Sequence, residues 1–111
     1  MRARIWTAVA LTSGLLWSAH GAQAAMPDEI ELGRQLAVEN CGACHATGTE
    51  DASTLAAAPA FRDLGQRYPV SHLEEALAEG IVTGHDAMPE IEWDTDQIIA
   101  FIAYLETIQT Q

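Results

Sequence analysis

The sequence predicts an all-α domain, on three observations. Apolar residues recur at three- and four-residue steps in two stretches, 27–40 and 94–108. Two further places carry the residues of a capping box, Ser71 with Glu74 and Asp94 with Gln97. No stretch alternates apolar and polar residues for long enough to make a strand.

The elements follow in order. Arg2 and Arg4 form a short basic head, and residues 5–17 an apolar run interrupted by Thr7, Thr12, Ser13 and Gly14. Ala22-Gln23-Ala24 then has the small-x-small form of a signal-peptidase site. The apolar run is shorter than the roughly 20 residues a spanning helix requires, so residues 1–24 are expected to be a cleaved secretory signal and residues 25–111 the mature domain. His20, Trp6 and Trp17 leave with that segment.

A first helix is expected from Pro27 to Asn40. Proline suits the first turn, and Asp28, Glu29 and Glu31 suit the positive end of the helix dipole. Ile30, Gly33, Ala37 and Cys41 fall on one face. Gly33 costs about 1 kcal/mol of helix propensity relative to alanine, which suggests a close helix crossing there. Residues 46–58 are small and polar and read as loop, with Pro59 stiffening its exit. A short turn passes through Asp63 and Leu64 to Pro69. The Ser71 box is expected to open a second helix, with Leu73, Ala76 and Leu77 buried and His72 in solvent, closed by Gly80. Residues 81–93 form a loop that contains Gly84, His85 and Met88-Pro89. Asp94 is expected to cap a last helix whose buried face is Ile98, Phe101, Ile102, Leu105 and Ile108.

The chain's two cysteines stand in Cys41-Gly42-Ala43-Cys44-His45. C-x-x-C-H is the pattern of covalent c-type haem attachment. Two thiols three positions apart can add to the two vinyl groups on one haem edge, and the next residue's imidazole then lies beneath the iron. The same two cysteines could instead be a thiol–disulfide redox pair or a local disulfide, neither of which requires His45. Opposite His45 the candidates for a sixth iron ligand are Met26, Met88, His72 and His85. Met26 lies near the chain's start. Met88 is held extended by Pro89, and His85, on the same loop, is its main competitor. A thioether favours ferrous iron, so His/Met ligation raises the reduction potential.

Charge narrows the partners. The chain has 5 basic and 16 acidic residues, a formal −11, and no lysine. Loss of Arg2 and Arg4 leaves three arginines against those 16 carboxylates, or −13. Such a surface repels nucleic acid and anionic lipid and draws in a basic partner through a salt-sensitive field. A domain this small has a marginal core of its own, and a buried cofactor would enlarge it.

These motifs together resemble the class I c-type cytochromes, and in particular a small soluble bacterial monohaem cytochrome c. The resemblance is carried by Gly33 eight residues before Cys41; by Cys41, Cys44 and His45; by Met88-Pro89; and by Ile102-Ala103-Tyr104-Leu105 in the last helix. It implies the cytochrome c fold, three main helices and short helical turns wrapped around one haem. It also implies that the first and last helices cross at Gly33 against Tyr104 and Leu105, and that the Pro59 carbonyl accepts a hydrogen bond from the His45 ring. Two departures stand out. Ala37 replaces the aromatic residue that mitochondrial members place at the crossing, and the lysine ring around the haem edge is missing. Trp93, Tyr68 and Arg67 could line the haem pocket or hydrogen-bond the propionates, but core or surface packing is the favoured reading of each.

The expected function is that of a periplasmic electron carrier: one haem c, bound through Cys41 and Cys44, ligated by His45 and Met88, exchanging single electrons with redox partner proteins. The sequence carries no group set up to act on an organic substrate. Three alternatives remain: a dedicated cytochrome subunit of an oxidoreductase complex, a haem-based gas sensor or peroxidase-like protein with an open sixth site, and a thiol–disulfide oxidoreductase.

Overall fold

A computed structural model of the chain describes residues 23–80 and 88–111. The expected signal segment up to residue 22, and the loop residues 81–87 with His85, lie outside the described residues. Among those described there are three α-helices, α1 (Pro27–Cys41), α2 (Leu73–Glu79) and α3 (Thr95–Ile108), two 3-10 helices (Phe61–Gln66 and Val70–His72), and no strand.

Pro27 opens α1, and the Glu29 carboxylate accepts from the Met26 backbone N–H at 3.3 Å. The helix runs one residue beyond expectation, to Cys41. It buries Gly33, Leu36, Ala37 and Cys41, with Ile30 partly covered; Leu36 widens the stripe read from the sequence. On its outer face Arg34 donates to Glu31 at 2.7 and 2.8 Å and holds that carboxyl down at about 2.

At the other end Asp94 caps α3 in both directions. Its carboxylate accepts from Gln97 N–H at 2.9 Å, and the Gln97 amide oxygen accepts from Asp94 N–H at 3.0 Å. Ile98, Phe101, Ile102, Leu105 and Ile108 are all buried, as their spacing predicts. Removing the cap with Asp94→Ala is expected to cost about 1 kcal/mol, seen in thermal denaturation as a fall of roughly 4–8 °C for a domain of this size.

The crossing of α1 and α3 sets the frame. A Cβ built on Gly33 would fall onto the Ala100 carbonyl, 2.6 Å from its carbon and 2.8 Å from Tyr104 Cβ. Only a hydrogen at that position lets the backbones meet. Ala37 and Leu105 have no exposed surface.

Between these helices the chain is held by side chains rather than by regular structure. Ala46 N–H donates to Ser53 Oγ at 2.9 Å, and the Asp51 carboxylate accepts from Thr47 and Gly48 N–H, each at 2.9 Å. Arg62 donates to the Asp51 carbonyl at 2.8 Å. The Tyr104 hydroxyl donates to the Thr47 carbonyl at 2.6 Å, tying this loop to α3. Backbone polar groups left without such partners would weaken a loop pressed against a core.

The expected capping box at Ser71 does not form. The chain after Pro69 already winds as a 3-10 helix, Val70–His72, so Ser71 never adopts the extended backbone of a cap. His72, helical itself (φ −67°, ψ −17°), precedes α2 with no side-chain cap. Leu77 is buried, Leu73 and Ala76 half-buried, and His72 exposed, as expected. Gly80 ends α2 at φ +81°, which favours glycine. The turn through Asp63 and Leu64 is in fact the 3-10 helix Phe61–Gln66, which buries Phe61 and Leu64.

Candidate functional site

Cys41 is the last residue of α1, and the backbone then folds tightly back on it. Cys44 and His45 N–H both donate to the Cys41 carbonyl, at 3.2 and 2.9 Å. The turn sets two sulfurs and an imidazole along one wall. Neither cysteine is in a disulfide. Burial pushes the Cys41 thiol up to about 11. A redox-active thiol is instead tuned downward by nearby positive charge, so the environment of Cys41 argues against thiol–disulfide chemistry.

Two adjoining cavities, of about 240 and 120 Å³, open beside this wall. Cys41, His45, Met88 and Ile91 line both; Cys44, Ala57, Ala58 and Pro89 line the first, and Pro59, Phe61, Leu73, Leu77 and Phe101 the second. Met88, half-buried, therefore borders the same space as His45 although the two are far apart in sequence. The walls are almost wholly apolar, which suits a flat hydrophobic group and excludes water from it.

Half-buried His45 is oriented by its surroundings. Its Nδ1 lies 2.8 Å from the Pro59 carbonyl oxygen. A carbonyl can only accept, so Nδ1 carries the proton in this bond and Nε2 keeps its lone pair. The Phe61 ring packs on the imidazole with centroids 4.9 Å apart and planes tilted by 36°. Phe61 in turn meets Phe101 edge-on at 5.8 Å, and Trp93 meets Phe101 at 4.9 Å, so a run of rings leads from the imidazole to α3.

The structure thus brings Cys41, Cys44, His45, Met88 and Pro59 to one place. It separates the other candidate ligands from it: Met26 is 62% exposed at the start of α1, and His72 is exposed on the second 3-10 helix; neither lines these cavities. His85 lies outside the described residues. Tyr68 and Trp93 line the second cavity, Trp93 half-buried and Tyr68 at the surface, while Arg67 is exposed and lines neither. Sequence reading assigned no role to Phe61, Asn40, Leu55 or Ile91, all of which border the cavities. Only Phe61 left a signal, an aromatic residue two places after Pro59.

The donors around the cleft are two thiols, one imidazole nitrogen and one thioether. Such a set can anchor an unsaturated organic group through sulfur and offer a transition metal one ligand of intermediate softness and one soft ligand. Among the described residues no helix is long and apolar enough to cross a membrane. Residues 30–109 match the sequence model of the family described as Cytochrome c. No curated protein and no solved structure matches the chain significantly.

Proposed function

Because the chain belongs to the cytochrome c family, whose members carry covalently attached haem c and transfer electrons with it, we propose a specific working arrangement. Cys41 and Cys44 would hold the porphyrin, His45 and Met88 would ligate its iron, and Pro59 orients the His45 ring. Residues 25–111, freed of a signal segment, serve as a one-electron carrier in the periplasm.

One observation carries this reading: two thiols, an imidazole and a thioether line one apolar cavity, and His45 Nδ1 is already engaged by Pro59. The donor chemistry fits haem. Bound there, the group supplies a ferric/ferrous couple; the remaining work falls to the protein. Pro59 fixes the tautomer and orientation of His45 and makes its ring a better donor. Met88, neutral and soft, favours the ferrous state and raises the potential. His45 and Met88 would together leave no position for a substrate at a metal held there, which suits a carrier rather than a sensor or peroxidase. The apolar walls keep water out, so little solvent has to reorganise when charge changes.

The partner is read from charge. Of the three arginines among the described residues, Arg34 is paired with Glu31, Arg62 donates to the Gly48 and Asp51 carbonyls beside the Asp51 carboxylate, and Arg67 stands exposed against the many carboxylates. The carboxylates therefore set the field, and a redox partner with a basic docking patch suits it. Such encounters are small, weak and fast.

The test is Met88→Ala in the haem-loaded protein. The far-red sulfur–iron band of the ferric form is expected to vanish. The reduction potential should fall by on the order of 0.1 V, part of the roughly 0.8 V that axial ligands span. A band and potential that survive the substitution would put another methionine, Met26, on the iron, and a parent protein without the band would reopen the choice between His85 and an open site.

A further inference from the structure

We propose that Gln109, just past the end of α3, is a positioning residue for the His45 imidazole, acting through Phe61 and the segment that holds Pro59. This rests on the reading of His45 as an iron ligand.

The Gln109 side chain is half-buried, and both ends of its carboxamide are engaged. Nε2 donates to the Phe61 carbonyl at 2.9 Å and to the Leu105 carbonyl at 2.7 Å, while Oε1 accepts from Gly65 N–H at 2.7 Å. One amide thereby fastens the beginning and the end of the 3-10 helix Phe61–Gln66 to the last turn of α3. Its approach needs the bare backbone of Gly65, where an added Cβ would lie 2.9 Å from Oε1. Because one partner donates and two accept, the amide has a single workable orientation.

On its other side the same 3-10 helix faces His45. Phe61 N–H donates to the Ala46 carbonyl at 2.9 Å, its ring lies against the imidazole, and two residues earlier the Pro59 carbonyl accepts from Nδ1. The contacts that orient His45 from this side thus come from residues 59–61. The Phe61 carbonyl is fixed from behind by Gln109, and its ring by Phe101. Thr110 adds a more exposed fastening, its N–H donating to the Arg62 carbonyl at 2.8 Å and its hydroxyl accepting from Gln66 at 2.9 Å. That second set meets the 3-10 helix beyond Phe61 and does not reach the imidazole.

Loosening residues 59–61 weakens the Pro59 bond. The ring then becomes a poorer donor, which stabilises ferric iron less. The experiment compares haem-loaded Gln109→Leu with Asp94→Ala, which weakens α3 at its far end. Gln109→Leu is expected to raise the ferrous-to-ferric ratio at the parent midpoint potential by about threefold, and to move the His45 ring-proton resonances of the ferric protein. Asp94→Ala should leave both at parental values despite its lower melting temperature. Should Gln109→Leu accumulate no haem-loaded protein, Gln109→Asn, which keeps the amide and shortens its reach, carries the same expectation. If the Gln109 variant matches Asp94→Ala, losing stability with the potential and resonances unmoved, Gln109 is only a fastener and the proposal fails. Ring resonances that belong to an imidazole other than His45 would overturn this inference together with the ligand assignment, whereas unmoved His45 resonances overturn this inference alone.

Discussion

A Cys41→Ala, Cys44→Ala double variant, unfolded in acid and extracted with organic solvent, is expected to yield all of its haem, where the parent chain keeps its own. The contrast is close to all or nothing, because it separates two kinds of bond. Ligation by side chains such as His45 and Met88 would depend on the folded cleft and be lost with it. A carbon–sulfur bond at the end of α1 survives unfolding. The turn that returns Cys44 and His45 to the Cys41 carbonyl places both sulfurs along one wall, so a single variant, Cys44→Ala, should still retain pigment through Cys41. Pigment that stays with the doubly substituted chain through extraction would place the attachment on other residues. The milder site for a first trial is Cys44, half-exposed, since Cys41 also belongs to the buried core.

Gly33→Ala is expected to be the most damaging substitution of a residue that touches no cofactor. The added methyl group would gain about 1 kcal/mol of helix propensity. It would meet backbone, however, in the Ala100 carbonyl, and Tyr104 Cβ at 2.8 Å, neither of which can turn aside. The helices must separate, and with them the packing around Ala37 and Leu105. Overpacking of this kind costs roughly 1–3 kcal/mol and sometimes more, and a collision with main chain belongs at the upper end. A net loss of about 2 kcal/mol corresponds to a fall in melting temperature of roughly 8–16 °C. Thermal denaturation of the haem-loaded variant measures it, and a melting temperature within a degree or two of the parent would show that the crossing is looser than the geometry implies.

What could be read in advance was local. Cys41, Cys44 and His45 were legible because attachment chemistry demands fixed offsets, and the α3 cap because Asp94 and Gln97 need only each other. Gly33 was legible as a helix-breaking residue inside a periodic face. Ser71 misled for a physical reason: a capping box works only where the chain enters a helix from an extended conformation, and Pro69 had already started a 3-10 turn. The remaining determinants left no local trace. The bond from Tyr104 to Thr47 spans 57 residues and that from Gln109 to Phe61 spans 48, and a glutamine after a helix looks the same whether it faces solvent or fastens a distant turn. The small, polar loop 46–58 looked unstructured by composition, yet Ser53, Asp51 and Arg62 give its backbone the partners that a strand or helix would have supplied.

The meeting of α1 with α3 also has a chronology. A chain emerges from the ribosome amino end first, and long-range contacts must wait for both participants. The sequence of α1 and both cysteines is therefore synthesised well before the surface against which Gly33 and Ala37 pack. Until that surface exists, nothing native covers the sulfurs from that side. Only with α3 in place can the Tyr104 hydroxyl reach the Thr47 carbonyl and fix the loop that follows Cys44 and His45.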